Sequence, residues 1–493
     1  MEQGLAEKIE WIRQSLIFFV PEIFLSFGII LILFLSLFTK TSFKTQSSLA
    51  VLIFISSLLF IALNWVTVYK SPVRLFGGMI RSDDFSAFLR LLFDLAGLLT
   101  VLMTFRFKSQ KYFSEYYVLL VAIVLGAHLL VMSMNFIMVF LSLEMISICS
   151  YVLAGFAFNK KGAEASLKYF LFGSVASAIM LYGLSILYGL TGTLDFSTSF
   201  FIDQLTSRVS PIVFIAILMT LAGFLYKIAA APMHPWSPDI YEASPMPVVA
   251  FFSVVPKLAG IGILAKFLVA VGPTQFSYDW QLILSVVAIA SITIGNFSAL
   301  RQKSAKRMMA YSSIAQSGFL LVGIITTLPA GVHFMLFYST VYTLSNFLVF
   351  LLLQYFESNG VYTIAGFGGQ GKYLLWPTIF ILTGLISLTG LPPTAGFTGK
   401  LFVFSSLWEA FSQSGKPILL WLLIFGLLNT VVSLFYYLRI PYYAFLKREE
   451  SIAKQNNSRF ENFLAFLLVV VILILFFMPG MLMGWINKIN FVL

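Results

Sequence analysis

Apolar stretches of about twenty residues follow one another along nearly the whole chain, and this pattern limits its fold more than any other feature. A helix of that length crosses the hydrocarbon core of a bilayer. Only 10% of the residues are charged, whereas a soluble protein carries about 25%, so most of the surface must face lipid. We predict an all-α integral membrane protein with about 14 transmembrane helices. The predicted spans are residues 15–38, 47–66, 85–105, 116–133, 135–157, 164–191, 211–235, 245–270, 279–299, 306–327, 330–356, 374–408, 417–443 and 461–486.

Basic residues are concentrated in the loops that follow odd-numbered spans, for example Lys160 and Lys161 after the fifth span. Loops rich in lysine and arginine stay on the cytoplasmic side of a membrane. Because an even number of spans leaves both ends on one side, we predict both termini on the periplasmic or outer side. The net charge of +11 then belongs to these loops, and we expect contact with the lipid bilayer and no nucleic acid. The first apolar stretch is too long for a signal-peptide core and is expected to remain as a span.

Five ionisable residues lie inside apolar stretches, where charge is costly: Glu144, Lys227, Lys257, Lys266 and Lys400. A charged side chain at the centre of a membrane helix costs at least about 2.5–3.5 kcal/mol. Residues of this kind mark ion pathways and proton relays. The pattern therefore predicts a protein that moves protons.

Prolines interrupt two of the spans close to a buried lysine. Pro232 follows Lys227 in the seventh span, and the prolines at 392–393 precede Lys400 in the twelfth. Because proline removes helix hydrogen bonds, both helices should break and free backbone carbonyls. Broken helices in corresponding positions of two halves point to a transport site. The two broken spans are five spans apart, and an odd number of spans means that the second copy enters the membrane from the opposite side. We therefore predict two inverted five-helix repeats (spans 4–8 and 9–13) with broken helices 7 and 12.

Glu144 and Lys227 together offer a way of controlling a proton. A buried lysine loses the water that stabilises its charge, and a carboxylate about 4 Å away stabilises that charge again by roughly 4 kcal/mol. Movement of Glu144 toward or away from Lys227 would therefore make the lysine hold or release a proton. The alternative is a neutral, hydrogen-bonded Glu144 with a structural role.

Three further residues are candidates for the same path. Lys257 follows Pro256 in the middle of the eighth span and could relay protons between the two halves. His234 lies in the broken part of the seventh span, where it could lead protons to water or serve as a fixed hydrogen-bonding group. Lys168 lies about one turn inside the sixth span, where a relay role and extension to the membrane surface are both open.

Other charges in the spans are expected to have local roles. Lys266 lies near the end of its span, so we expect its amine to extend to the membrane surface. Arg90 and Asp94 are four residues apart on one helical face and are expected to form a local ion pair. His128 is expected to be a satisfied group of the core.

Four segments around these residues resemble a known family. They are EASLKYFLFGSVAS (164–177), APMHPWSPDIYEASPMPVVAFFSVVPKLAG (231–260), KRMMAYSSIAQSGFLLVG (306–323) and LTGLPPTAGFTGKLFVF (388–404). All four are similar to signature stretches of the antiporter-like subunits of proton-translocating NADH-quinone oxidoreductase, respiratory complex I. The long lateral helix of subunit L is missing after the fourteenth span, and Lys400 stands where subunit M has glutamate. These differences indicate the third large subunit of the family.

The resemblance implies a proton channel made of two half-channels. Glu144 and Lys227 would form the pair of the first half-channel. Lys257 would be the central connection, and Lys400 would be the terminal proton carrier.

Three further positions can be compared with the family. Lys168 matches a family lysine near the first pair, and His234 matches a family histidine. Gln316 stands where many relatives have histidine, so the resemblance leaves a relay role at this position open.

The resemblance also implies a proton-translocating subunit of NADH:quinone oxidoreductase, in the cell inner membrane, that does no redox chemistry itself. This chain would bind no cofactor, and NADH, flavin, iron–sulfur clusters and quinone would be bound by other subunits. Its single cysteine, Cys149, excludes a four-cysteine cluster of its own. The expected partners are the other subunits of the complex, especially neighbouring antiporter-like membrane subunits.

The spans suggest a division of the chain into four segments. Residues 1–115 would hold helices 1–3, residues 116–270 the first repeat (helices 4–8), residues 271–443 the second, inverted repeat (helices 9–13), and residues 444–493 helix 14.

Two other functions are compatible with the sequence. A cation/proton antiporter subunit of a multi-component sodium-exporting complex would share the fold, and sodium transport coupled to the purified protein would indicate it. A membrane scaffold would only hold neighbouring subunits. In that case Lys227→Ala or Glu144→Ala would leave proton pumping intact.

Overall fold

The computed structural model describes residues 12–13, 15–38, 42–67, 72–105, 112–207, 210–272, 279–447 and 459–491, and helices form most of this part of the chain. The helices are α1 (Val20–Phe38), α2 (Phe43–Thr67), α3 (Asp84–Thr104), α4 (Phe113–Met132), α5 (Phe136–Ala154), α6 (Lys160–Thr191), α7 (Ser199–Ser207), α8 (Pro211–Lys227), α9 (Trp236–Ala243), α10 (Met246–Val271), α11 (Trp280–Leu300), α12 (Ala305–Ile325), α13 (Pro329–Ser358), α14 (Gln370–Tyr373), α15 (Leu375–Thr389), α16 (Ala395–Ser414), α17 (Pro417–Tyr437), α18 (Arg439–Leu446), α19 (Arg459–Phe477) and α20 (Pro479–Ile486). A hairpin of β1 (Val73–Leu75) and β2 (Ile80–Ser82), which the sequence analysis did not predict, pairs Val73 with Ser82.

Twelve stretches of helix within the described residues are long and apolar enough to cross a membrane, and each overlaps one predicted span. The seventh and twelfth predicted spans instead contain α8 and α15, which are apolar but shorter. The prediction of an all-α integral membrane protein is thereby confirmed. The total of 14 spans and the inverted repeat stay predictions.

The seventh and twelfth predicted spans are broken where the prolines lie. α8 ends at Lys227, and residues 228–235 form turns before α9 begins. α15 ends at Thr389, and α16 begins only at Ala395. Between them Gly390 has a φ of 89°, a left-handed conformation that glycine adopts without steric cost. Each break leaves backbone groups that other parts of the protein can bind.

Polar side chains determine where several helices begin. Asp83 accepts a hydrogen bond from the backbone N–H of Ser86 at 2.7 Å, and the Ser86 hydroxyl accepts one from the backbone N–H of Asp83, which forms a capping box at α3. Asn135 and Asn159 cap α5 and α6 with their side-chain oxygens. Because these caps satisfy free N–H groups, short connections such as residues 133–135 suffice to separate two helices.

The chain divides into two compact units. Unit 1 comprises Met1–Lys227, Val255–Tyr278 and Asn490–Leu493, and unit 2 comprises Ile228–Val254 and Asp279–Ile489. Of the candidate residues, unit 1 contains Glu144, Lys168, Lys227 and Lys257, and unit 2 contains His234 and Lys400. The division into four segments stays a prediction.

Candidate proton-transfer site

Lys227 and Glu144 belong to one polar group in unit 1. Lys227 is the last residue of α8 and only 3% exposed. Its Nζ donates a hydrogen bond to Ser147 Oγ at 3.0 Å, and Ser147 Oγ donates to the carbonyl of Leu143 at 2.7 Å. Glu144 lies three residues before Ser147, on the same face of α5, and its carboxylate interacts electrostatically with Lys227. Ser147, the direct partner of the amine, was missed in the sequence, although its spacing from a buried acid was a usable signal.

One oxygen of the Glu144 carboxylate can accept a further hydrogen bond. Its side chain is partly buried, and Oε1 has no hydrogen-bond partner among the described residues. A buried acceptor without a partner is unfavourable by about 1–3 kcal/mol. A shift of the Lys227 amine from Ser147 toward Glu144 Oε1 would remove this penalty, so two hydrogen-bonding arrangements are open to the amine.

Lys257 lies inside the protein and away from lipid. It is 1% exposed and belongs to α10, in which every residue from Met246 to Phe267 is buried. Pro256, directly before it, has no N–H and removes one helix hydrogen bond beside the lysine. Lys257 is therefore shielded from the membrane surface, as a proton relay requires.

Lys400 holds its amine at the end of a broken helix in unit 2. Its Nζ donates to the carbonyl of Thr389, the last residue of α15, at 2.8 Å. The same amine lies 4.3 Å from the centre of the Phe319 ring. Free carbonyls at the negative end of a helix and the face of an aromatic ring both attract a cation. The break at Gly390 thus creates the binding position of the amine.

Gly390 leaves the space that the Lys400 side chain occupies. A Cβ at position 390 would lie 2.6 Å from Lys400 Cδ, and the φ of 89° is strained for any other residue. We expect Gly390→Ala to destabilise the folded chain by about 1–3 kcal/mol, measured as a lower Tm in detergent.

Gly415→Ala is the matched control, because Gly415 has a φ of 66° and open space where a Cβ would lie. It carries the backbone strain without the contact. An equal fall in Tm for both variants would show that the contact with Lys400 contributes nothing.

Hydroxyl and amide groups of unit 2 lead to the same helix end. Gln316 Nε2 donates to the carbonyl of Leu388 at 3.0 Å and to the Tyr437 hydroxyl at 3.4 Å, and the Tyr338 hydroxyl donates to Gln316 Oε1. Leu388 directly precedes the residue whose carbonyl binds Lys400. A glutamine amide does not titrate. Gln316 therefore aligns hydroxyl groups near Lys400, and a proton would have to travel through those hydroxyls or through water.

A second set of hydrogen bonds in unit 2 surrounds Ser253 of α10. The Tyr342 hydroxyl donates to the Ser253 carbonyl at 2.9 Å and to Ser313 Oγ at 3.4 Å. Tyr241 and Ser313 share a hydrogen bond of 3.2 Å, and Asn346 Nδ2 donates to Ser253 Oγ. No single residue of this set stands out in the sequence, because serine and tyrosine are common in membrane helices and only the fold brings them together.

The remaining two candidates lie at less enclosed positions. Lys168 forms an ion pair of 2.8 Å with Glu164, one turn earlier in α6, and its side chain is 43% exposed. His234 is half-buried in the turns after α8. The proton-transfer roles of both stay predictions. Within the part of the chain that the structure describes, no three His, Cys, Asp or Glu side chains converge as metal ligands.

The prediction for Lys266 was wrong. Its side chain is 2% exposed, and Nζ lies 3.0 Å from Asp83 Oδ2 instead of extending to the surface. Burial of Asp83 would raise its pKa, but the charge of Lys266 and hydrogen bonds from Ser86 outweigh burial and lower the pKa below its usual value. The partner is 183 residues away in the chain, so spacing alone could not reveal it.

The sequence is similar to a described family over most of its length. A profile of the family "NADH:quinone oxidoreductase/Mrp antiporter, TM" matches residues 133–433. NADH-quinone oxidoreductase subunit N 2 of Chloroherpeton thalassium is 37% identical over 94% of this chain and 92% of its own length. NADH-quinone oxidoreductase subunit N of Chlorobium chlorochromatii is 36% identical over 91% of this chain and 89% of its own length.

Solved structures share the fold. A chain of respiratory complex I from Thermus thermophilus with bound aureothin superposes with a TM-score of 0.79 and 28% identity, covering 94% of this chain and 98% of that one. A chain of the Mrp complex from Dietzia sp. DQ12-45-1b has the same TM-score at 18% identity, covering 96% and 97%. The second likeness concerns the fold alone.

Proposed function

The chain belongs to the subunit N family of NADH-quinone oxidoreductase, respiratory complex I, and on this premise we propose that Glu144 and its buried lysines carry protons across the membrane. The chain is a membrane subunit that translocates protons, driven by electron transfer from NADH to quinone elsewhere in the complex. In our proposal a proton is loaded at Glu144 and Lys227, passes by way of Lys257, and reaches Lys400 as the terminal carrier.

The observation that carries this proposal is the placement of Lys227. Its amine is buried, its direct partner is the neutral hydroxyl of Ser147, and Glu144 on the same helix face supplies the nearby negative charge. Small movements of Glu144 therefore change how strongly Lys227 holds its proton. A fixed structural ion pair would instead place the carboxylate and the amine in direct contact.

Lys400 suits the end of such a path for a different reason. Its amine is bound by a carbonyl dipole and an aromatic ring, and neither carries a full charge. Release of the proton leaves no unpaired carboxylate behind, so loading and unloading change the local charge by one positive unit only. Gln316 holds two tyrosine partners, Tyr338 and Tyr437, and their hydroxyls are the groups along which the proton arrives.

The two less enclosed candidates take supporting roles in this proposal. We place Lys168, on the partly exposed face of α6, near the entrance to the first pair. We place His234, in the turns after α8, between the path and water. In this proposal another water-accessible group can take over the proton transfer of either Lys168 or His234.

The surroundings of the chain follow from the same premise. We propose that it does no redox chemistry, that NADH, flavin, iron–sulfur clusters and quinone bind to other subunits, and that its neighbours are antiporter-like membrane subunits. We place it in the cell inner membrane with both termini on the periplasmic side. Residues 1–11 and 492–493, on which the position of the termini depends, lie outside the described residues.

Glu144→Gln tests the proposal, because glutamine keeps the size and shape of glutamate but carries an amide that does not ionise. In assembled complex reconstituted into vesicles, we expect the number of protons pumped per NADH oxidised to fall severalfold. The matched control is Glu409→Gln, which changes an exposed glutamate of α16 and should leave pumping unchanged.

Unchanged pumping by Glu144→Gln in normally assembled complex would overturn the proposal and support the scaffold function. Sodium movement in place of proton movement would instead support the cation/proton antiporter, whose fold the chain shares.

A further inference from the structure

A second set of buried charges lies in unit 1, outside the proposed proton path. We call it the N-terminal cluster and define it as Glu22, Arg90, Asp94 and His128, with the hydroxyl of Ser57 beside it. All five side chains are completely buried. Glu22 comes from α1, Ser57 from α2, Arg90 and Asp94 from α3, and His128 from α4, so four helices meet at this point.

The distances within the N-terminal cluster are those of direct hydrogen bonds and ion pairs. Arg90 Nη1 donates to Glu22 Oε1 at 2.7 Å, and His128 Nδ1 lies 3.0 Å from the same oxygen. His128 Nε2 lies 3.4 Å from Asp94 Oδ1, which is an ion-pair distance without hydrogen-bond geometry, and Ser57 Oγ donates to Asp94 Oδ2 at 2.6 Å. Glu22 was not among the residues selected from the sequence. The local pair of Arg90 with Asp94 stays a prediction.

The position of His128 between two carboxylates determines what its ring must carry. A neutral imidazole has one N–H and one bare nitrogen, whereas the protonated ring donates from both nitrogens. Both nitrogens of His128 face carboxylate oxygens. A bare nitrogen opposite an ionised carboxylate would repel it, and a protonated ring, which donates from both nitrogens, removes that repulsion.

The charge count leads to the same result. Glu22 and Asp94 contribute two negative charges, and Arg90 contributes one positive charge. With a neutral His128 the N-terminal cluster would hold an unbalanced negative charge inside the protein, which is strongly unfavourable. One proton on His128 brings the sum to zero.

Other charges near α4 are already paired elsewhere. The elements packed against α4 include α1, α2, α3, α5 and β2, and Val131 of α4 also lies against Gly262 of α10, whose basic residues are Lys257 and Lys266. Glu144 of α5 interacts with Lys227, and Arg81 of β2 lies 3.8 Å from Asp83, which also binds Lys266. Lys44 of α2 is exposed. Within the described residues, the carboxylates at ion-pair distance from His128 are those of Glu22 and Asp94, and Arg90 shares the Glu22 carboxylate with it.

We propose that the N-terminal cluster is a proton-binding site, in which His128 holds one proton between Glu22 and Asp94 and thereby joins the first four helices. The ligand is a hydrogen ion, and its binding contributes to the stability of the fold. The inference does not depend on the proposed path through Lys227 and Lys400. His128 then serves as the second cation of the N-terminal cluster, beside Arg90.

A set of three variants of the full chain tests the charge balance. His128→Gln leaves one unbalanced negative charge, so we expect a severalfold loss of folded protein after purification in detergent. Asp94→Asn removes a negative charge and lets His128 become neutral, so the loss should be small. The double variant His128→Gln with Asp94→Asn keeps only the balanced pair of Glu22 and Arg90, and we expect it to recover most of the folded protein.

If His128 acted only by packing or as a neutral hydrogen-bonding group, the amounts of folded protein would follow the opposite order. The double variant would then give no more folded protein than His128→Gln. That order would overturn the proposal. His333→Gln serves as the matched control, because His333 is partly buried and hydrogen-bonded to the carbonyl of Ile489 without a carboxylate. It should reduce the amount of folded protein only slightly.

Nuclear magnetic resonance of the unmodified chain tests the proton directly and does not depend on whether the variants fold. The chain has only three histidines, so ¹⁵N labelling of their rings gives few signals. The variants His234→Gln and His333→Gln then identify the signals of His128 by elimination. At a pH where histidine is ordinarily neutral, we expect both nitrogens of His128 to carry hydrogen, and we expect Asp94→Asn to convert one to a bare nitrogen. A bare nitrogen in the unmodified chain, or no change in Asp94→Asn, would overturn the proposal.

Discussion

Complex that carries Lys227→Met is expected to assemble and to lose proton pumping by about tenfold or more, since a group that transfers a proton typically contributes a factor of about 100 or more. Methionine fills the space of the lysine stem but has no amine to donate to Ser147 or to interact with Glu144. The measurement is the number of protons taken up by vesicles per NADH oxidised with quinone. Assembly is checked separately by the amount of complex in the membrane.

Lys227→Arg separates charge from proton exchange at the same position. Arginine keeps the positive charge and the hydrogen-bond donors but cannot give up its proton in a protein. We therefore expect Lys227→Arg to pump as poorly as Lys227→Met. Normal pumping by the arginine variant would mean that Lys227 acts as a fixed charge, and the loading step proposed for it would be wrong. Lys416→Met is the control, because Lys416 forms a partly exposed ion pair with Asp279.

Lys400→Met is expected to have two separable effects. The first is a loss of pumping as large as that of Lys227→Met, because the terminal carrier is gone. The second is a loss of stability of about 1–3 kcal/mol, because the Thr389 carbonyl at the end of α15 loses its donor. Pumping is measured in vesicles, and stability is measured as the Tm of the purified chain.

Lys400→Arg should separate the loss of pumping from the loss of stability. Its guanidinium can still donate to the Thr389 carbonyl and lie on the Phe319 ring, so the Tm should stay close to that of the unmodified chain. Its proton is not released, so pumping should remain low. If Lys400→Met and Lys400→Arg both pumped normally, protons would have to leave by a route that excludes Lys400. Lys372→Met, at an exposed position of α14, controls for loss of a lysine as such.

Several features of the site could be predicted from the sequence because their free-energy cost depends on neighbouring residues in the chain and not on the rest of the fold. A lysine or glutamate inside a long apolar stretch is unfavourable wherever the fold places it, so Glu144, Lys227, Lys257 and Lys400 could be selected as candidates without coordinates. The breaks after Lys227 and before Ala395 follow from proline, which removes helix hydrogen bonds in any surroundings. Both helix breaks, and the burial of Lys227, Lys257 and Lys400, were therefore predicted at the level of single residues.

The partners of those charges could not be predicted, because they depend on which helix faces which. The Lys227 amine binds Ser147, and the Lys400 amine binds a backbone carbonyl that exists as an acceptor only where α15 ends. Lys266 was expected at the surface and instead binds Asp83. In each case the chain offers several polar groups at suitable spacings, and only the packed helices select one of them.

The amino-acid sequence by itself determined that this chain is a bundle of membrane helices with charges in its interior and two interrupted spans. Those properties follow from the transfer of residues from water to lipid and from the backbone chemistry of proline, both of which act locally. Only the tertiary structure decided that Glu22 meets His128 and that Gln316 lies beside the end of α15. Contacts between distant segments depend on the packing of whole helices, whose side chains interact over a few ångströms in space irrespective of their separation along the chain.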